Sequence, residues 1–106
     1  MLRDERLMCE VQFDNEKIIK DDIYTPESIR QATDEMFVDE FDLIKGENGF
    51  YYEKGCDEDF IHFMSAILSL RYCDWFMKYV TKWLWYNPDN CAYPDDLIKG
   101  LKNVKV

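Results

Sequence analysis

The stretch that most limits the fold runs from residue 57 to 88, DEDFIHFMSAILSLRYCDWFMKYVTKWLWYNP. Acids at Asp57, Glu58 and Asp59 favour a helix N-terminus, and Pro88 stops the run. At roughly 100° per residue the segment reads as helical, but its polar face changes midway. His62, Ser65 and Ser69 share one polar face. Asp74, Lys78, Thr81 and Lys82 share another, rotated by roughly 150° on the same wheel. Either the helix breaks near Arg71 to Asp74, or one helix buries opposite sides in its two halves. In the second case the later half packs on something the earlier half does not.

Phe60 to Leu70 is then the better core candidate, and Trp75, Tyr79, Trp83 and Tyr86 line a second apolar face. Trp85 lies off that face, because two residues two apart cannot point one way on a helix. From Phe50 onward the chain carries 13 of its 17 aromatic residues. Trp and Tyr are enriched at binding hot spots. The expectation is that Trp75, Tyr79, Trp83, Trp85 and Tyr86 serve a partner, or a second copy in a homodimer through the aromatic helix. Full burial, under the chain's own C-terminal helix, is the alternative.

The rest of the chain supplies a small sheet. LMCEVQF alternates, with Leu7, Cys9, Val11 and Phe13 on one side and Met8, Glu10 and Gln12 on the other, as in a half-buried strand. NEKIIKDDIY reads as extended or turn-rich, anchored by Ile18, Ile19 and Ile23. TPESIRQATDEMFVDEF opens a helix: Thr25 caps, Pro26 fits the first turn and Glu27 favours the dipole. Ile29, Ala32, Met36 and Phe37 share its apolar face, and Asp34, Glu35, Asp39 and Glu40 cluster on the solvated side. FDLIKGENGFYYEKG reads as a hairpin around a type I′ turn at Asn48-Gly49. YPDDLIKGLK predicts a short final helix started by Pro94 and two acids. The order predicts one α+β domain over residues 1–106: a small antiparallel sheet of about three strands, one short helix, a long or broken aromatic-rich helix and a short C-terminal helix.

Charge is lopsided. Residues 1–59 hold 18 acids against 7 bases, and residues 60–106 hold 4 against 6, within a net charge of −9. Such a surface repels phosphate backbones and anionic lipid, so direct nucleic-acid or membrane binding is not expected. A protein or peptide partner with a basic surface suits it, with Asp34, Glu35, Asp39 and Glu40 as candidates. A face that only aids solubility is the bland alternative. No apolar span is long enough for a transmembrane helix, and MLRDERLMCE lacks the apolar core of a secretory signal. A cytoplasmic location is expected.

Catalytic and cofactor chemistry find little purchase. Cys9, Cys56, Cys73 and Cys91 form no CxxC pair and read as isolated thiols in a reducing compartment, with a disulfide or metal role as the alternative. His62, the single histidine, reads as an ordinary exposed helix residue. No two carboxylates stand out in unlike environments for acid/base work. No phosphate loop or calcium loop is present. The chain is expected to be non-catalytic, with no metal and no cofactor.

One stretch resembles a known family. IYTPESIRQA, Ile23 to Ala32, is similar to the entry into the first helix of the HxsD-like proteins of His-Xaa-Ser modified-peptide systems. There an Ile-Tyr pair precedes a helix with Glu, Ile and Ala in the positions held here by Glu27, Ile29 and Ala32. An alternating strand, here CEVQF, comes before it, and MSAILSLRY resembles the family's helix with a Leu-Arg pair, here Leu70-Arg71. Met36 stands where an aromatic residue is expected, and the Trp-rich end has no counterpart. The resemblance implies a small accessory protein of a peptide-maturation system built on radical enzymes. It would bind the precursor peptide or the enzyme without catalysis of its own. The alternative function is an inhibitor from a phage or mobile element, such as an anti-CRISPR protein, whose acidic surface occupies a basic groove.

Overall fold

The structure, a computed structural model, describes residues 6–88 and 94–102. Strand β1 (Met8–Phe13) forms where the alternation predicts. The next segment is a correction: residues expected to be extended form helix α1 (Asn15–Asp21). Asp14 supplies the reason, its carboxylate accepting from the Lys17 amide at 3.1 Å. Of its three isoleucine anchors only Ile18 is buried; Ile19 and Ile23 are exposed.

Helix α2 (Pro26–Asp34) starts as expected. Thr25 Oγ1 accepts from the Ser28 amide at 3.0 Å, and Ser28 Oγ accepts from the Thr25 amide at 3.1 Å. Its continuation, Glu35–Glu40, widens into a π-helical segment, with the Phe41 amide donating to the Met36 carbonyl at 3.2 Å. Strands β2 (Ile44–Lys45) and β3 (Phe50–Tyr52) then form the hairpin. Asn48 and Gly49 have φ of 57° and 84°, the positive values a type I′ turn requires.

The long segment does break where the polar face swings. Helix α3 (Asp59–Arg71) ends before Tyr72, and helix α4 (Asp74–Tyr79) starts a new direction. The end of the run is the main correction. Val80–Tyr86 is strand β4, not helix. It pairs antiparallel with β1 from Met8↔Tyr86 to Phe13↔Val80. On a strand, residues two apart share a face, so Trp83 and Trp85 point together into the core. A two-residue strand β5 (Asp95–Asp96) and helix α5 (Leu97–Lys102) complete the described chain.

The fold is therefore α+β, with five α-helices and a five-stranded antiparallel sheet among the described residues, in the order β2-β3-β1-β4-β5. The extra strands relative to expectation are β4 and β5. On one sheet face, Cys9, Val11, Tyr51, Trp83 and Trp85 meet Phe37, Phe63, Ala66, Leu70 and Phe76 of the helices. The Phe37 and Tyr51 rings stack at 4.0 Å, and Phe76 meets Trp83 edge-on at 4.8 Å. A smaller cluster of Ile18, Ile29 and Tyr79 joins α1, α2 and α4. Met8, Phe50, Tyr52, Leu84 and Tyr86 belong to neither cluster. They sit half-buried and alternate in register with the core residues, on the opposite sheet face. Among the described residues no helix is long and apolar enough to cross a membrane.

Candidate functional site

Helix α3 is apolar on both sides. Phe63, Ala66, Ile67 and Leu70 face the sheet and are buried. Roughly 180° away on the helical wheel lie Ile61 and Leu68, 63% and 52% exposed, and Tyr72, which caps the helix, is 77% exposed. A helix on a domain surface ordinarily turns only a polar stripe outward, whereas here the His62, Ser65 and Ser69 stripe is narrow and is flanked by exposed apolar side chains. The expectation of a core segment from Phe60 to Leu70 therefore holds for the inner stripe alone, since Phe60, Ile61 and Leu68 are exposed.

An acidic cleft borders this stripe. It is lined by Ala32, Glu35, Met36, Asp39, Glu40 and Phe41 from the α2–π segment and by Ser69 of α3. Ser69 lies roughly 75° around the helix from the exposed stripe. Glu35, Asp39 and Glu40 are exposed, and Met36 and Phe41 are half-buried against the core. The π-helical segment widens the backbone here, and such insertions occur frequently at functional sites. Three of the four acids singled out from sequence thus stand together along one cleft.

Asp34, the fourth, is placed elsewhere. Its Oδ1 accepts from the Tyr51 hydroxyl at 2.5 Å, and its Oδ2 pairs with Lys45 Nζ at 3.0 Å. Arg30 Nη1 donates to the same hydroxyl at 3.1 Å and Arg30 Nη2 to the Val11 carbonyl at 2.8 Å. The network ties α2 to three strands. Burial, then the Asp34 hydrogen bond, push the Tyr51 phenol well above the ordinary tyrosine range, against the pull of Arg30. That phenol is a structural donor at every physiological pH.

The five aromatic candidates separate. Tyr79, Trp83 and Trp85 are buried, which removes them from any exposed aromatic helix. The physical reason is β4: its period of two sends both Trp side chains into the core. Trp75 is half-buried against both core clusters. Tyr86 is half-buried on the opposite sheet face, its ring 6.2 Å from Phe50. Tyr79 donates to Asp21 Oδ2 at 2.9 Å, and Lys78 Nζ stands 3.3 Å from the same oxygen. The Tyr79 hydrogen bond, with help from Lys78, holds the Asp21 carboxyl below its usual value.

Sequence reading passed over a third grouping. Cys56, Asp59 and His62, in the loop before α3 and along its first turns, place one ligand atom each within 4.8 Å of one another. Spaced three apart, they climb one side of the helix entry, a signal that a search for CxxC pairs does not detect. Of the other thiols, Cys9 is buried and Cys73 half-buried; Cys91 lies outside the described residues. Burial pushes the Cys9 thiol far up, which removes it as a nucleophile.

Fold and surface together define a small acidic α+β domain with an exposed apolar helix stripe beside a carboxylate cleft. Comparison with protein-family models, curated proteins and solved structures gave no match.

Proposed function

We propose that this chain is a non-catalytic protein-interaction domain of the cytoplasm, and that it docks a basic, amphipathic segment of a partner on the outer face of α3. The observation that carries the reading is the double-sided α3, with Ile61, Leu68 and Tyr72 exposed opposite its buried face. The cleft of Glu35, Asp39 and Glu40 beside it supports a cationic partner. Apolar anchors in the stripe would supply affinity, and the carboxylates would set orientation and speed encounter. A net charge of −9 weighs against a second copy as the occupant, since like surfaces repel.

The IYTPESIRQA resemblance supports an accessory role in peptide maturation, with a precursor peptide or its modifying enzyme as partner. The acid excess supports the alternative, an inhibitor such as an anti-CRISPR protein that engages a basic groove. Partners encoded by the genes flanking this one separate the two. The docking test is titration of those products, and of a basic Leu/Lys amphipathic peptide, against the protein and its Leu68→Ser/Tyr72→Ser variant. Affinity should fall by at least about tenfold in the double variant, equivalent to ~1.4 kcal/mol. It should hold in Ile44→Ser, which alters an exposed apolar residue of β2. Equal affinity in all three proteins would refute docking on α3.

A further inference from the structure

The geometry points to a binding site for a thiophilic divalent cation, Zn²⁺ foremost, formed by the Cys56 sulfur, an Asp59 oxygen and a His62 ring nitrogen. This inference is independent of the docking reading. Three observations carry it. The three donor atoms converge within 4.8 Å, so a closure of about 1 Å brings them to the roughly 3.5 Å spacing of ligands around one tetrahedral ion. The donor set mixes thiolate, imidazole and carboxylate, all of which zinc accepts. His62 Nδ1 is buried and has no hydrogen-bond partner, whereas an ordinary surface histidine keeps both nitrogens in water. A ligated cation would supply a partner to the imidazole that the protein itself does not.

The backbone holds the site ready. Asp59 is 2% exposed, a burial that a carboxylate tolerates only with compensation. Its Oδ2 accepts from the amides of Gly55 and Cys56 at 2.7 and 2.8 Å, and its Oδ1 accepts from the Lys54 amide at 3.1 Å. Gly55, at φ 101°, allows the loop to wrap the carboxylate so closely. These amide bonds orient a ligating carboxylate, the role that outer hydrogen bonds play around metal centres. The Cys56 sulfur lies 3.3 Å from Oδ1, to which its thiol donates. That proton occupies the position a metal would take. On binding, the S–H bond breaks, an S–metal bond forms and the proton passes to solvent, while water fills the fourth coordination position. Exposed Asp57 and Glu58 add negative charge at the mouth. Lys54, whose ammonium is paired with Asp42, is the opposing cation nearby. Such a site would add a second tie between the residue 53–58 loop and α3's first turn, beside the amide bonds to Asp59.

The test is titration of the full, reduced, chelator-treated chain with Co²⁺, a spectroscopic stand-in for Zn²⁺, followed by displacement with Zn²⁺. One equivalent should produce a thiolate-to-cobalt charge-transfer band with visible bands of tetrahedral intensity, and Zn²⁺ should remove both. In Cys56→Ser the thiolate band should vanish, and in His62→Gln affinity should fall by at least about tenfold. Cys56 is exposed, so Cys56→Ser retains the fold, which circular dichroism checks. Zn²⁺ should raise the melting temperature of the parent chain and not of Cys56→Ser. Absence of a thiolate band in the parent, its persistence in Cys56→Ser, or unaltered affinity in His62→Gln overturns the assignment. Binding without that band assigns the metal to surface carboxylates instead, which also overturns it.

Discussion

Replacing Tyr51 by Phe removes one oxygen atom and tests whether the Arg30–Tyr51–Asp34–Lys45 network holds the hairpin against α2. The phenol is 1% exposed, donates to Asp34 and accepts from Arg30. Both partners are charged groups, and hydrogen bonds to such groups contribute about 1.5–3 kcal/mol. Each partner keeps other contacts: Lys45 on Asp34 Oδ2, and the Val11 carbonyl and the Phe13 ring on Arg30. The ring retains its stack on Phe37, so no cavity opens. The expected loss is therefore ~2 kcal/mol, a sizeable part of the 5–15 kcal/mol typical of a domain. Urea unfolding, followed by far-ultraviolet circular dichroism and tryptophan fluorescence, should show the midpoint falling by about 1 M at an m-value near 2 kcal/mol/M. The melting temperature should drop by about 8–12 °C. A double-mutant cycle with Asp34→Asn should return a coupling of about 1 kcal/mol or more. A loss below ~0.5 kcal/mol, or no coupling, would show that water replaces the phenol without cost and that the network does not brace the hairpin.

Trp83→Ala should cost about 3–5 kcal/mol in the same unfolding assay, because a fully buried ring vanishes from between the sheet and Phe76. Gly49→Ala should destabilise by more than ~1 kcal/mol, since φ is 84° and a Cβ would run into the Val11 carbonyl oxygen. Asp21 has a folded value below its ordinary 3.8, so its stabilising effect is present above that value and is lost as pH falls through the folded one. Acid unfolding of Asp21→Asn, followed by circular dichroism, should show a shallower decline below pH ~4 than the parent. Tyr51 runs the other way: its stabilising effect is intact below the ordinary tyrosine range and is lost as pH rises through and above it. An ultraviolet pH titration should find Tyr51 ionising only above the ordinary tyrosine range.

The parts of the fold set by local chemistry could be read from sequence. Thr25-Pro26 opened α2, Asn48-Gly49 turned the hairpin, and the alternation of Cys9, Val11 and Phe13 marked β1. The break between α3 and α4 was foreshadowed by the swing of the polar face. What escaped was tertiary. VTKWLWY is rich in strand-forming residues, yet it follows thirteen residues of true helix and a six-residue second one, and its apolar character suits either period. The spacing of Trp83 and Trp85, awkward on a helix, was itself the strand signal. Of the site, Glu35, Asp39 and Glu40 were found because a charge run is visible in any conformation. Ile61, Leu68 and Tyr72 were missed, because with apolar residues on both flanks of the His62, Ser65 and Ser69 face the pattern does not say which flank the core takes. Asp34 left the acidic group because Tyr51, from a distant strand, reaches it.

The proposed function requires that a partner dock on the outer face of α3. Its most direct test is a chemical-shift titration of the isotope-labelled chain with a basic Leu/Lys amphipathic helix of about five turns, against a sequence-scrambled control of equal charge. Docking there should give saturable shifts gathered on Ile61, Leu68, Tyr72, Glu35, Asp39 and Glu40, absent with the control. Shifts scattered over every acidic surface, equal with the control, or centred on the sheet face of Phe50, Tyr52 and Tyr86 would contradict it.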